Sequence, residues 1–305
     1  TDLTMSSATE GELFYSDTDS KFKVGVNVQA WASGGNMNTA RSGGASAQAA
    51  PASTGWIAGG HPGISATEEY NGSAWTNSND LNTGRTAFGG AGTLTAGLVF
   101  GGDAPPPGNN PTADVEEYNG TSWTEVTNLT TGRQGMRGCG PQTAALGFGA
   151  YNPDTPERTE EYDGTNWTEG GSHPTAHYWH GYAGTQTAAL QFGGATPDAD
   201  MTWEYDGSAW TQGGNLNNAS ANGCAGAGFT QATALRFGGA TVAVTEAYDG
   251  STWSTKPNMG TARYRHGGFG SGTAATCAGG YTGTANTTAT EEFSETVTLK
   301  TLTDS

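Results

Sequence analysis

Apolar and polar side chains exchange over short runs along this chain. Glu68-Glu69-Tyr70-Asn71-Gly72-Ser73-Ala74-Trp75 shows the pattern most clearly. Strand-like residues flank an Asn-Gly pair, the short-range signature of a tight hairpin. The phrase returns around Asn119-Gly120, Asp163-Gly164, Asp206-Gly207 and Asp249-Gly250. Read as a two-residue turn, it sets Tyr70 opposite Ser73 and Glu68 opposite Trp75. Tyr and Trp then leave one side of the sheet and Glu69 the other. The aromatic side is expected to be buried. A second phrase, Gly184-Thr185-Gln186-Thr187-Ala188-Ala189-Leu190-Gln191-Phe192-Gly193-Gly194, predicts a tight turn, a strand and a glycine pair. Related pairs are Gly59-Gly60, Gly101-Gly102, Gly238-Gly239 and Gly279-Gly280, with Gly149-Ala150 as a variant. Ahead of the turn lies a strand of small residues such as Gly89-Gly90-Ala91-Gly92.

These phrases are phased. Tryptophans stand at 31, 75, 123, 167, 210 and 253, spaced by 44, 48, 44, 43 and 43 residues, a period that marks a repeat architecture. Each unit offers four short strands, and the small-residue strand suits the crowded axis of a closed ring. The order of signals (Arg, small-residue strand, Gly-Gly, Tyr, Trp) resembles the kelch repeat over about residues 31 to 293. The resemblance implies an all-β, six-bladed kelch-like β-propeller with four-stranded blades. The five-position Tyr-to-Trp interval departs from it and implies a compact hairpin.

Closure follows from the two ends of the repeat. Glu291-Glu292-Phe293 has no turn and no Trp after it, while Trp31 has no Glu-Glu-Tyr before it. Val24–Trp31 is therefore expected to supply the outer strand of the last blade, closing the ring with the N-terminal strand. Residues 296–302 compete for the same place. This divides the chain into an N-terminal attachment arm or hairpin, residues 1–23, and a propeller, residues 24–305.

Composition changes the picture in two ways. Leu, Ile, Val and Phe number only 33 in 305 residues while Gly numbers 50, which alone would point to disorder. Nine Trp and eleven Tyr, regularly placed, supply the missing buried area. The 29 acidic and 12 basic residues give a net charge of −17. That balance argues against nucleic acid or an anionic membrane as partner. No apolar run is long enough to cross a bilayer and no secretory signal opens the sequence. Cys139, Cys224 and Cys277 lack the spacing of a disulfide framework or a zinc site, and no cofactor or metal is expected.

Candidate chemistry collects on one face. Loops after each Trp and after each Gly-Gly emerge together, opposite the hairpins, and the longest are 103–113, 151–156 and 195–201. Binding residues tend to gather on such loops. The residues opening the inner strands are Arg41, Arg85, Arg133, His177, Ser220 and Arg263. They are expected to ring the channel mouth, either as an anion site or as partners of backbone carbonyls and acidic side chains in the neighbouring blade. His180 and His266, with Trp179 beside the first, complete the candidate binding set, as ligands of a sugar or a metal or, the favoured reading, as blade packing, since no third metal ligand stands at a suitable spacing. No catalytic constellation emerges: Asp and Gly are adjacent, unlike a sialidase Asp-box, and the recurrent Glu-Glu pairs read as a repeated structural feature.

The phrase Tyr-Asn/Asp-Gly-Ser/Thr-x-Trp-Thr, the Gly-Thr-Gln-Thr-Ala-Ala-Leu turn and the opening residues 11–23, Gly-Glu-Leu-Phe-Tyr-Ser-Asp-Thr-Asp-Ser-Lys-Phe-Lys, resemble virion-associated propeller proteins of marine and cyanobacterial bacteriophages. The resemblance implies a non-enzymatic structural protein of the extracellular particle, in a tail fibre, appendage or capsid decoration. Its partners would be other virion proteins and a host-surface glycan or protein. A lectin-like carbohydrate-binding propeller is the alternative.

Overall fold

The computed structural model describes residues 10–16, 18–105, 109–151, 157–195 and 199–302. Residues 1–9 of the expected arm and parts of the three longest loops (106–108, 152–156, 196–198) lie outside the described residues. Every strand pairing is antiparallel, and no helix occurs among the described residues.

Six sheets form six blades. Blade 1 holds Ala45–Ser46, Gly55–Ala58, Thr67–Tyr70 and Trp75–Ser78. Blade 2 holds Gly89–Thr93, Ala96–Phe100, Val115–Tyr118 and Trp123–Val126. Blade 3 holds Arg137–Cys139, Leu146–Phe148, Thr159–Tyr162 and Trp167–Glu169. Blade 4 holds Gly181–Thr185, Ala188–Phe192, Thr202–Tyr205 and Trp210–Gln212. Blade 5 holds Ala225–Thr230, Thr233–Phe237, Thr245–Tyr248 and Trp253–Lys256. Blade 6 is built from Gly267–Gly270, Ala274–Ala278, Thr290–Thr301 and, as outer strand, Lys21–Ser33. The innermost strand of each blade touches that of the next, and the circuit closes from blade 6 to blade 1.

Two ladders of side chains join the blades. The Tyr hydroxyl of each blade donates to the second Glu of the blade before it: Tyr70 to Glu292, Tyr118 to Glu69, Tyr162 to Glu117, Tyr205 to Glu161 and Tyr248 to Glu204. Burial, then the carboxylate, pushes the Tyr118 and Tyr205 phenols up to about 12. At the sixth joint both members are replaced together, since Phe293 has no hydroxyl and Ala247 has no carboxylate. The second ladder runs from each outer-strand indole Nε1 to a Thr hydroxyl of the preceding blade: Trp31 to Thr245, Trp75 to Thr290, Trp123 to Thr67, Trp210 to Thr159 and Trp253 to Thr202. Val115 holds the Thr position facing Trp167, whose Nε1 has no partner. A buried Trp or Tyr removes roughly 150–250 Å² from water, so this aromatic wedge replaces the scarce aliphatics.

The hairpins differ from the two-residue reading. Tyr70 pairs with Trp75, Glu69 with Thr76 and Glu68 with Asn77, so the loop is four residues long. The reason is local. Asn71 Oδ1 accepts the amides of Ser73 and Ala74, an Asx turn, and Asn119, Asp163, Asp206 and Asp249 repeat it. The slip is two positions, so facing is preserved: Tyr and Trp share the buried side with Glu68, and Glu69 takes the other.

Closure agrees with expectation: Trp31 pairs with Phe293 and its indole reaches blade 5. The competing segment does not displace it. Thr290–Thr301 is one long strand, and its second half pairs with the first half of Lys21–Ser33, from Val28↔Thr296 to Lys23↔Thr301. Leu13–Ser16 adds a further strand to that ribbon. Lys21–Ser33 crosses position 23 without a break, so the expected arm and the closing strand are one continuous element.

Candidate functional site

The arginines of the expected ring turn inward to their own blades. Arg85 is fully buried; it donates to the carbonyls of Thr83, Gly101 and Asp114 and to Glu116 at 2.6 Å. Glu116 also accepts the amides of Asn82 and Thr83. Arg41 with Glu68, Arg133 with Glu160 and Arg263 with Glu291 form the same clasp. It fixes the segment entering each blade to the glycine pair and to the third strand. Each guanidinium donates to at least two carbonyls and one carboxylate, with the Nε of Arg133 left without a partner among the described residues, so these four do not converge on open space. The second reading of the ring holds for the kind of partner, but the partners lie in the same blade and not in the neighbouring one.

Where the clasp arginine is missing, its carboxylate is either replaced or given another cation. Blade 4 has His177 in place of Arg and Trp203 in place of the first Glu. His173 lies between them, with ring centroids 4.8 Å from His177 and 5.1 Å from Trp203. Blade 5 has Ser220, and Glu246 instead faces Arg236 of its own blade. A buried carboxylate without a cation is costly, which accounts for the paired replacement.

His180 and His266 are core residues. They occupy the position of Phe88 and Met136, against the glycine pair of the preceding blade. A Cβ on Gly101 (φ +66°) would meet Met136 Sδ at 2.5 Å, and one on Gly149 would meet His180 Nε2 at 2.5 Å. His180 stacks on Phe148 at 5.0 Å and His266 packs on Phe237 at 5.6 Å. Burial, then the charge of Arg263, pushes His266 down to about 3. Burial, then His177, does the same to His173, so these imidazoles serve as neutral rings.

The channel mouth is built by other residues. One residue per blade, two or three positions after the clasp position, forms a closed ring of backbone hydrogen bonds. Gly43 donates to Arg265, Ala87 to Gly43, Gly135 to Ala87, Trp179 to Gly135, Gly223 to Trp179 and Arg265 to Gly223, at 2.6–3.2 Å. All six have positive φ, from +54° to +77°. Three are glycine, for which this conformation carries little penalty. Trp179 (φ +55°) and Arg265 (φ +54°) are the two large exceptions.

Of the predicted set, Trp179 alone reaches this mouth as a side chain. Its ring comes within 3.9 Å of a Cβ built on Gly43, on the opposite blade, so the indole spans the axis. The Arg265 guanidinium lies 4.0 Å from its centroid and that of Arg137 5.3 Å. Arg137 comes from the inner strand of blade 3 and is 4% exposed. It donates to the carbonyls of Phe88 and Met136, and Tyr182, Arg265 and Cys224 share its electrostatic surroundings. A hydrogen bond to Phe88, the Trp179 ring and charge interactions with groups of blades 4, 5 and 6 place it near the axis. The opposite end is closed by Gln48, fully buried, which donates to Gly228 on blade 5 and accepts from Gly140 on blade 3.

Beside the mouth lies a depression of about 310 Å³ lined by Ser42, His61, Tyr264, Arg265, Tyr281 and Asn286. Tyr264 meets Tyr281 edge-on, and Tyr151 meets Tyr178 likewise. Sequence reasoning missed Arg137, Arg265 and Tyr182. The signal was present: Arg137 and Tyr182 break two adjacent inner-strand positions, one each, otherwise filled by Gly, Ala or Ser in the other blades. Among the described residues no cluster of three or more His, Cys, Asp or Glu is disposed to hold a metal ion, and the three cysteines are buried thiols. No helix among the described residues is long and apolar enough to cross a membrane.

Six antiparallel sheets around a common axis define a six-bladed β-propeller. Among solved structures the chain is similar to YjhT, with a TM-score of 0.70 over 87% of this chain and 99% of that one at 14% identity. That likeness extends to the fold. No family model matches the sequence, and no curated protein matches it.

Proposed function

We propose that this propeller is a non-enzymatic structural protein of a bacteriophage particle, in a tail fibre, appendage or capsid decoration. Its loop face makes protein or host-surface contacts, and the N-terminal ribbon joins it to another virion protein. The observation that carries the reading is the ribbon. Leu13–Ser16, Lys21–Ser33 and the far half of Thr290–Thr301 extend past the inner strands of blade 6, whose last pairing is Ala274↔Ser294. Leu13, Tyr15, Phe22, Val28 and Leu302 are exposed on it, and such apolar exposure marks a contact surface. The resemblance of residues 11–23 to phage virion propellers agrees with that role. Deleting residues 2–23 is expected to leave a folded propeller that no longer enters purified particles, read by mass spectrometry of the particles. Normal incorporation of the truncated chain contradicts the proposal.

One observation favours the lectin-like reading as a second: Tyr178, Trp179, Tyr264 and Tyr281 gather around the mouth, and such rings present flat apolar faces beside polar groups. Glycan-array binding that is lost in Trp179→Ala would support it, and an array without hits would count against it.

A further inference from the structure

Two cations in the channel mouth lack a counter-charge among the described residues. Each of the buried clasp arginines faces a carboxylate of its own blade. Arg137 and Arg265 pair with no carboxylate among the described residues. Instead they share one indole and repel one another. Arg137 is nine-tenths buried and more, and its two hydrogen bonds, both from one terminal nitrogen, go to carbonyls. The Nε of Arg265 is buried without a partner. Two guanidinium groups brought together, Arg137 buried and Arg265 half-buried, are unfavourable unless an anion joins them.

Backbone geometry is an independent observation. The hydrogen-bonded ring requires left-handed backbone at six positions, and Gly43, Gly135 and Gly223 meet the requirement without strain. Ala87, Trp179 and Arg265 adopt it against their own preference, and the last two carry large side chains there. Strain of this kind gathers at ligand sites. The fold would be served by glycine at both places, so the two side chains answer to something other than the ring.

We propose that the loop-face mouth of the channel is a binding site for a small oxyanion, the carboxylate or phosphate group of a small molecule. The oxyanion is held between the guanidinium groups of Arg265 and Arg137 beside the Trp179 indole. The donors suit it: guanidinium N–H groups bind two oxygens at once, and the indole keeps water from one side. The depression lined by Ser42, His61, Tyr264, Tyr281 and Asn286 adjoins Arg265 and has room for the remainder of the molecule. The site stands on its own geometry and holds whether or not the chain belongs to a virion.

Isothermal titration of the full chain with inorganic phosphate and, separately, with acetate tests this, at ionic strength held constant with chloride. The expected result is saturable 1:1 binding of at least one of the two, which also tells the two chemistries apart. Arg137→Met and Arg265→Met are each expected to weaken it by about thirtyfold or more. Binding that is unchanged in both variants, or no saturable binding of either anion, overturns the proposal. Should Arg137→Met fail to fold, Arg265→Met carries the same test. Wild-type crystals soaked in selenate add a second: an anomalous peak between the two guanidinium groups supports the site, and its absence there contradicts it.

Discussion

Substituting Val115 by Thr should stabilise this protein, although it places a hydroxyl at a fully buried position. Five of the six blade-joining indoles donate to a threonine of the preceding blade at 2.9–3.0 Å. At the sixth, Trp167 Nε1 is buried and unpartnered because Val115 replaces the acceptor. An unsatisfied buried donor costs about 1–3 kcal/mol, and a hydrogen bond made returns about 1 kcal/mol net. Val and Thr have similar volume, so packing changes little and the new hydroxyl meets a waiting donor. The expected gain is about 1 kcal/mol, or roughly 2 °C in a chain of this size. The reciprocal change, Thr67→Val, strands Trp123 Nε1 and should destabilise by about 1–3 kcal/mol. Urea titration followed by tryptophan fluorescence, with the slope held equal between variants, measures both. If Val115→Thr lowers the midpoint as Thr67→Val does, the ladder is a coincidence of geometry and the reasoning is wrong.

Two further outcomes follow from the same joints. Phe293→Tyr alone should destabilise by leaving a buried hydroxyl opposite Ala247. Combined with Ala247→Glu it should show favourable coupling of about 1.5–3 kcal/mol in a double-mutant cycle; zero coupling would mean that the missing Tyr–Glu pair is not equivalent to the other five. Stability should also fall with acid. His173 and His266 have folded values of about 3 against 6.5 ordinarily, so the unfolded chain binds protons that the folded chain refuses. Their contribution is present above about pH 6.5 and is lost as the pH falls toward 3, with a slope of up to about 1.4 kcal/mol per pH unit for each. His266→Met, the residue that blade 3 carries at this position, should flatten the slope between pH 6 and 4; an unchanged slope would show that His266 titrates normally.

Much of the fold was legible because the repeat states it six times. The Tyr and Trp positions defined blades and buried side, and the unmatched ends, Trp31 and Phe293, predicted the closure. Hairpin register was not legible from Asn-Gly alone, because the Asn71 side chain competes for the loop amides and lengthens the turn. Arg41, Arg85, Arg133 and Arg263 were correctly aligned with one another. Their direction depended on Glu68 and its counterparts, a partner visible in sequence only through blade 4, where His177 and Trp203 replace both members. The channel-mouth cations escaped because they are not repeated. Arg137 and Arg265 each occur in one blade, and a search for periodicity passes over single departures.

The indole proton of Trp31 tests the closed ring most directly. Assigned by its loss in Trp31→Phe, its ¹H–¹⁵N resonance should slow in hydrogen exchange. It should also shift in Thr245→Val, a change 214 residues away in sequence, while the indoles of Trp75, Trp123 and Trp210 stay in place. A fast-exchanging Trp31 indole that is indifferent to Thr245 would show that the N-terminal strand does not lock blade 6 against blade 5.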